Sequence, residues 1–358
     1  MENHIVKDLS HGEGNPRNSE GAFATLADGR LLFAWSRYTG DSWADEARAE
    51  IATIESKDGG RTWSSRPRVL VTGEGRRNVM SVSLQRCANG KLGLFYLRKN
   101  DLLDCRLRLR VSGDEGKTWS KPILATPTPG YFVVNNDRVV QLASGRLIAP
   151  AGYHRLRAKV VNDPDRLYDS LDFRSIAVFF LSDDGGRTWR EGQDWWAFPG
   201  QTPSGLQEPG LVELTDGRLW AWCRTEAGFQ YELFSEDGGD TWTAPVPSRF
   251  AAPCSPMSVK RIPATGDLLA VWNDLSHPME RQPSSWQRTP LAAAISQDDG
   301  RSWGQAKLLE DDPERGFCYA ALHFVEEAVL FAYCCGGRGS AVLQDACIRR
   351  VGLDWLYS

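Results

Sequence analysis

Apolar runs a few residues long, each bounded by a turn containing glycine, recur from one end of the chain to the other. Leu31-Leu32-Phe33-Ala34-Trp35 follows the turn Ala27-Asp28-Gly29-Arg30. The same pattern of turn and then strand returns at Asn89-Gly90-Lys91-Leu92, Ser144-Gly145-Arg146-Leu147, Asp216-Gly217-Arg218-Leu219 and Thr265-Gly266-Asp267-Leu268. A sixth, degenerate copy is Glu326-Glu327-Ala328-Val329-Leu330-Phe331-Ala332-Tyr333. Short apolar runs between turn residues predict strands, and helical periods are few.

A stricter repeat alternates with the first. Ser182-Asp183-Asp184-Gly185-Gly186-Arg187-Thr188-Trp189 has close copies beginning at Ser56, Ser112, Ser235 and Ser296. Asp-Gly supplies the short polar side chain and positive-φ freedom of a tight turn, and Thr-Trp begins a new strand. The tryptophans at the last position (Trp63, Trp119, Trp189, Trp242, Trp303) are placed to seal one module against its neighbour. A site needs residues that differ between modules, so the carboxylates of these turns read as structural, not as a metal or acid/base cluster.

Each module therefore reads as strand, glycine turn, strand, variable loop, strand, Asp turn, strand. Repetition at this interval predicts an all-β fold, a six-bladed β-propeller of four-stranded antiparallel blades with five Asp-box turns, forming a single domain over 1–358. The last module lacks the Asp turn and ends in Ala346-Cys347-Ile348-Arg349-Arg350-Val351. Its fourth strand is expected from His4-Ile5-Val6, which would hide the sheet edges. The longest insertion, Arg155 to Asp172, is charged and contains proline, and reads as a loop over one face.

Composition narrows the function classes. Charged residues are 25% and apolar residues 41%, ordinary for a soluble protein, and a net charge of -4 offers no polyanion-binding surface. Nucleic acid is thus excluded as an expected partner, and an anionic ligand would need a local basic pocket. The N-terminal stretch has no apolar h-region and no later stretch approaches a membrane span, so the expectation is a cytoplasmic protein without a membrane partner. The eight cysteines show no CxxC spacing and read as reduced core thiols, with no metal or cofactor implied.

Hairpin geometry then separates two faces. The start of each first strand and the finish of each second strand lie together, opposite the glycine turns. Counting nine residues back from the turn position gives Glu20, Ser81, Asn136, Glu208 and Tyr319, with Ser255 the best match in the fifth module. Counting forward gives Arg37, Arg98, His154, Arg224 and Asn273-Asp274. Each alone could be a satisfied structural partner; so many polar outliers at equivalent positions favour a site at one mouth.

These residues resemble the sialidase (neuraminidase) superfamily, and the resemblance covers nearly the whole chain. Gln207-Glu208-Pro209 with Arg224 looks like the family segment that holds the catalytic glutamate and one arginine of the carboxylate-binding triad. Arg288, eight residues before the Ser296 turn, matches another triad arginine, and Cys318-Tyr319-Ala320-Ala321-Leu322 resembles the segment with the nucleophilic tyrosine. The resemblance also implies an acid in the loop after the first module's second strand, with Asp45 preferred and Asp41 in reserve. A neutral phenol activated by a carboxylate suits an anomeric carbon that itself bears a carboxylate, and arginines grip that carboxylate bidentately.

The chain also departs from the family. Arg17-Asn18-Ser19-Glu20 replaces Arg-Ile-Pro and puts Ser19 where the first triad arginine would stand. The family's Tyr-Glu is here Tyr333-Cys334. Arg17, Arg37 and Arg76 are the candidates for the lost guanidinium, and Glu20 for a new polar contact. The leading expectation is an exo-acting glycoside hydrolase that releases a terminal acidic, 2-keto sugar with retention, taking an anionic glycan as substrate. The alternatives are a propeller glycosidase or lyase for another uronic or deoxy sugar, and a carbohydrate-binding propeller without chemistry.

Overall fold

The structure is a computed structural model that describes residues 1–157 and 169–358. The loop expected from Arg155 to Asp172 falls mainly on 158–168, outside the described residues. Almost all regular structure is antiparallel sheet. Four sheets have four strands: one runs from Asn18–Thr25 to Arg68–Val71, one from Gln207–Glu213 to Val246–Ala251, and one from Ser258–Arg261 to Lys307–Glu310. The fourth combines Cys318–Val325, Ala328–Cys334 and Ala346–Gly352 with the N-terminal strand Asn3–Leu9. That pairing sets Asn3 opposite Val351 and Leu9 opposite Ala346, as the sequence led us to expect.

The fifth sheet has nine strands, because two modules are joined. Gly130–Val133 pairs in parallel with Asp104–Ser112 on one side and antiparallel with Leu147–His154 on the other. Beyond Val133 the strand breaks, and only Val140–Gln141 resumes pairing with Leu147–His154. Residues 134–139 are thereby released from the sheet.

The Asp turns bind themselves in one recurrent pattern. In the Ser182 copy, the amide of Gly186 donates to Ser182 Oγ at 2.9 Å, and the amide and hydroxyl of Thr188 donate to the two carboxylate oxygens of Asp184 at 2.9 and 2.7 Å. The last glycine of each turn has positive φ and packs on the preceding module, the last module standing before the first. A Cβ on Gly60 would meet Leu330 at 2.7 Å, one on Gly186 would meet Leu109 at 2.5 Å, and one on Gly239 would meet Ile148 at 2.9 Å. Gly60 belongs to the first of these sheets and Leu330 to the last, so the last sheet packs back against the first. The tryptophans extend the same contact: Trp242 stacks on Phe179 at 4.0 Å, and Trp189 meets Phe95 edge-on at 6.0 Å.

These turns tie stability to acidity. Asp114, Asp184 and Asp298 titrate at about 2. The hydroxyls of Thr118 and Ser302 are the main cause at Asp114 and Asp298; at Asp184 slight burial works the other way and is outweighed by Thr188. Folded values below the unfolded value of 3.8 mean that the stabilisation is complete above about pH 4 and is lost as pH falls toward about 2. Asp184→Ala should lower stability by about 1 to 2 kcal/mol at neutral pH, and by progressively less below pH 4. Calorimetry of both proteins between pH 2 and 7 checks this; a constant difference across that range would contradict it.

Candidate active site

The first strands of four modules carry the same irregularity. Pairing slips between Ser19 and Ala22, Met80 and Ser83, Gln207 and Gly210, and Cys318 and Ala321. Inside each slip one non-glycine residue adopts a left-handed conformation: Glu20 (φ 56), Ser81 (φ 57), Glu208 (φ 46) and Tyr319 (φ 60). A bulge of this kind re-aims a side chain at a cost of roughly 1 to 3 kcal/mol, and such strain collects at functional sites. All four of these residues line one pocket of about 180 Å³. The nine-residue spacing read from the sequence is the register of these bulges.

Tyr319 and Glu208 meet there. The phenol donates to Glu208 Oε1 at 3.2 Å and accepts a hydrogen bond from Arg224 Nη1 at 3.2 Å. Arg224 Nη1 also lies 3.1 Å from Glu208 Oε2, while its Nε and Nη2 donate to Gln207 Oε1 at 2.9 and 2.8 Å. Burial, reinforced by the charge of Glu208, pushes the Tyr319 phenol above its usual value, and Arg224 and Arg288 pull the other way. The tyrosine is therefore a neutral phenol that needs a base, and Glu208 is in place to act as one. Arg288 stands against the far side of this group. Its guanidinium is 5.6 Å from the Tyr319 ring, donates to Cys318 Sγ and the Cys254 carbonyl, and lines no part of the pocket.

A second charged group forms the opposite wall. Arg17, 1% exposed, donates through Nε to Ser19 Oγ at 2.9 Å, through Nη1 to Asp45 Oδ1 at 2.5 Å and through Nη2 to Glu20 Oε2 at 3.1 Å. Ser81 Oγ donates to Glu20 Oε1 at 3.0 Å. Burial by itself would raise Asp45, but Arg17 and Lys99 outweigh it and hold the carboxyl below its ordinary value. For Glu20 burial wins over Arg17, with Asp45 and Glu208 adding to it, and its acidity falls. Three cations (Arg17, Lys99, Arg224) thus face three carboxylates (Glu20, Asp45, Glu208). Met80, Leu97, Val133 and Leu171 supply an apolar side. His154, pushed down to about 4 by burial, is a neutral wall residue whose Nδ1 lies 3.1 Å from the Asp172 carbonyl.

Of the residues singled out in the sequence, Tyr319, Glu208, Asp45, Arg224, Glu20, Arg17, Ser81 and His154 line this pocket. Among the described residues the others do not. Asp41 is exposed in the outer part of its loop. Arg37 pairs with Glu50 at 2.9 Å, Arg76 is largely exposed and pairs with Asp101, and Arg98 lies 4.0 Å from Asp104. Ser255 accepts a bond from Gln230 through its carbonyl, and Asn273 ties the carbonyls of Pro290 and Phe317. Asn136 is buried and its side chain bonds only to backbone, and the left-handed residue of its module is the next one, Asp137 (φ 57). Lys99 and Gln207 were missed. Lys99 directly follows Arg98 on a strand, and one step along a strand changes the face.

The BNR repeat-like domain family matches residues 29–331. The chain belongs to the sialidase, BNR-repeat superfamily. A sialidase of Micromonospora viridifaciens is 26% identical over 327 residues, covering 83% of this chain and 47% of that protein. An anhydrosialidase of Macrobdella decora is 26% identical over 205 residues, covering 55% of this chain and 23% of its own length. The chain therefore spans less than half the length of these relatives. Among solved structures, a leech intramolecular trans-sialidase complexed with 2,7-anhydro-Neu5Ac superposes with a TM-score of 0.72 at 15% identity, covering 99% of this chain and 71% of that one. A protein of unknown function from Dyadobacter fermentans superposes with a TM-score of 0.73 at 17% identity, covering 97% and 98%. The fold is that of the sialidase propellers.

Because Arg17 and Glu20 are both buried, removing one strands the other's charge. Arg17→Met should destabilise the protein by about 3 kcal/mol. Urea unfolding followed by tryptophan fluorescence measures this, and a loss below about 1 kcal/mol would show that the pair is not coupled.

Proposed function

We propose that the protein is a retaining, exo-acting glycoside hydrolase of sialidase type, built on six blades of which the nine-stranded sheet supplies two. The contact between Tyr319 and Glu208 carries this reading. The phenol oxygen attacks the anomeric carbon while Glu208 takes its proton, and Asp45 gives a proton to the departing oxygen. Water then attacks the same carbon with Asp45 as base, the bond to Tyr319 breaks, and Glu208 returns the proton to the phenol. Arg224, by giving up its bonds to Gln207, anchors the sugar carboxylate, and the modest pocket volume suits a single terminal sugar ring.

A second reading is favoured by one observation: the guanidinium of Arg17 is capped by Glu20 and Asp45, so it offers no open edge to a substrate carboxylate. That arrangement suits a uronic or deoxy sugar other than sialic acid. Aryl glycosides of sialic acid, of other 2-keto sugar acids and of uronic acids distinguish the readings by which one is cleaved.

On the cleaved substrate, Tyr319→Phe should lower kcat by about 10³-fold or more with the melting temperature unchanged. Retained turnover would remove the nucleophile. The acidity of Asp45 sets a second expectation. Held ionised by Arg17 and Lys99, it gains its proton only in acid, so kcat/KM should rise as pH falls below neutral. Asp45→Asn should abolish that rise; a profile that stays flat from pH 4 to 7 in the parent protein would assign the proton to another group.

A further inference from the structure

The segment released from the nine-stranded sheet does not hang free. It runs through the middle of the molecule and touches the first strands of the other modules. Asn136 Nδ2 donates to the Gly21 carbonyl at 2.8 Å and to the Tyr319 carbonyl at 3.1 Å. The Asp137 amide donates to the Val82 carbonyl, and its carboxylate accepts from the Leu322 amide at 3.0 Å and Lys260 Nζ at 2.7 Å. Arg138 donates to the Met257 carbonyl at 2.6 Å and to Ser258 Oγ at 3.3 Å, and Ser258 in turn donates to the Ala320 carbonyl. Three consecutive residues thus hold strands from four separate parts of the sequence.

The two carbonyls that Asn136 grips are not arbitrary. One belongs to Tyr319 itself, and the other to Gly21, the residue after Glu20. Tyr319 and Glu20 are two of the left-handed residues that aim side chains into the pocket. A non-glycine residue keeps that conformation only where its surroundings over-determine it. In an open bulge the neighbouring strand no longer fixes the peptide, so another donor must. The Asn136 amide is 2% exposed, its own backbone amide is held by Asn135 Oδ1 at 2.7 Å, and its Nδ2 protons reach both peptides at once.

We propose that Asn136 is a positioning residue: by clamping the peptides at Tyr319 and Gly21 to each other, it fixes where the Tyr319 phenol stands relative to Glu208 and to the Arg17–Glu20 wall. The inference rests on the reading of Tyr319 as nucleophile. Asn136 touches no substrate, and its effect passes through the backbone of the residue that reacts. Displacement of a reacting atom by an ångström is enough to cost orders of magnitude in rate.

The test uses the full chain and the aryl glycoside that it cleaves. Asn136→Ala should lower kcat by 10- to 100-fold while KM stays within twofold, and Asn136→Ser, which keeps one donor, should fall between Ala and the parent. A residue that only supports the fold would lower the melting temperature and leave kcat per folded molecule unchanged, and that result would overturn the proposal. If Asn136→Ala does not fold, Asn136→Ser decides: a kcat reduced at least fivefold supports the role, and parental kcat overturns it. Tyr319→Phe measured alongside separates the two claims. Full activity in that variant removes the nucleophile and this inference with it, whereas an inactive Tyr319→Phe beside an unaffected Asn136→Ala removes this inference alone.

Discussion

A peptide forced into the left-handed region is the constraint on which the mouth of this molecule depends. A regular strand alternates its side chains between two faces, and neither face looks down the middle of a radial assembly. Inserting one residue breaks the alternation and turns a single side chain toward the centre. Here the same break occurs in four first strands, and the residues it turns inward are Glu20, Ser81, Glu208 and Tyr319. The sheets supply rigidity, and the bulges supply direction. Because the break sits at one register in these four modules, side chains far apart in sequence emerge at one depth, and Tyr319 comes within hydrogen-bond reach of Glu208 across 111 positions of chain.

The charge arrangement follows from that convergence. Buried carboxylates brought together repel one another unless cations separate them. Arg224 lies against Glu208, and Arg17 lies between Glu20 and Asp45. Arg17 enters from two residues ahead of Ser19 and reaches back over the Tyr38 ring at 4.4 Å. The Arg17 guanidinium has Glu20 as its buried partner, and Cys334, in the last module, joins Cys318 in the packing around Tyr319. Arg17, just ahead of the strand Asn18–Thr25, thus forms a buried ion pair with Glu20 within it.

Much of this was legible in the chain, for reasons that also explain what was not. The turn at Gly217 and the bulge at Glu208 are separated by an unbroken hairpin, so counting from one finds the other, and the same count finds Glu20, Ser81 and Tyr319. The count fails at Asn136 because the strand there leaves its sheet, and the left-handed residue falls one place later, at Asp137. Counting forward from the turn reaches Arg98, yet the strand turns Lys99 inward and leaves Arg98 near Asp104. An error of one residue along a strand changes the face entirely. Arg17 was one of three candidates because reach, unlike register, depends on where a long side chain folds, and only the tertiary structure decides that.

The pairing of Asn3–Leu9 with Ala346–Gly352 has a consequence for the order of events in synthesis. It joins a segment made early to one made more than 300 positions later. While the chain emerges, the modules between can form hairpin by hairpin, each Asp turn after the first settling on the module already made before it. The N-terminal strand must wait, its edge unsatisfied, until Ala346–Gly352 is complete. Tyr319, held in the last sheet, and Glu20, held in the first, therefore reach their common pocket only at the close of assembly. The pocket is completed in the same step that brings the last sheet against the first.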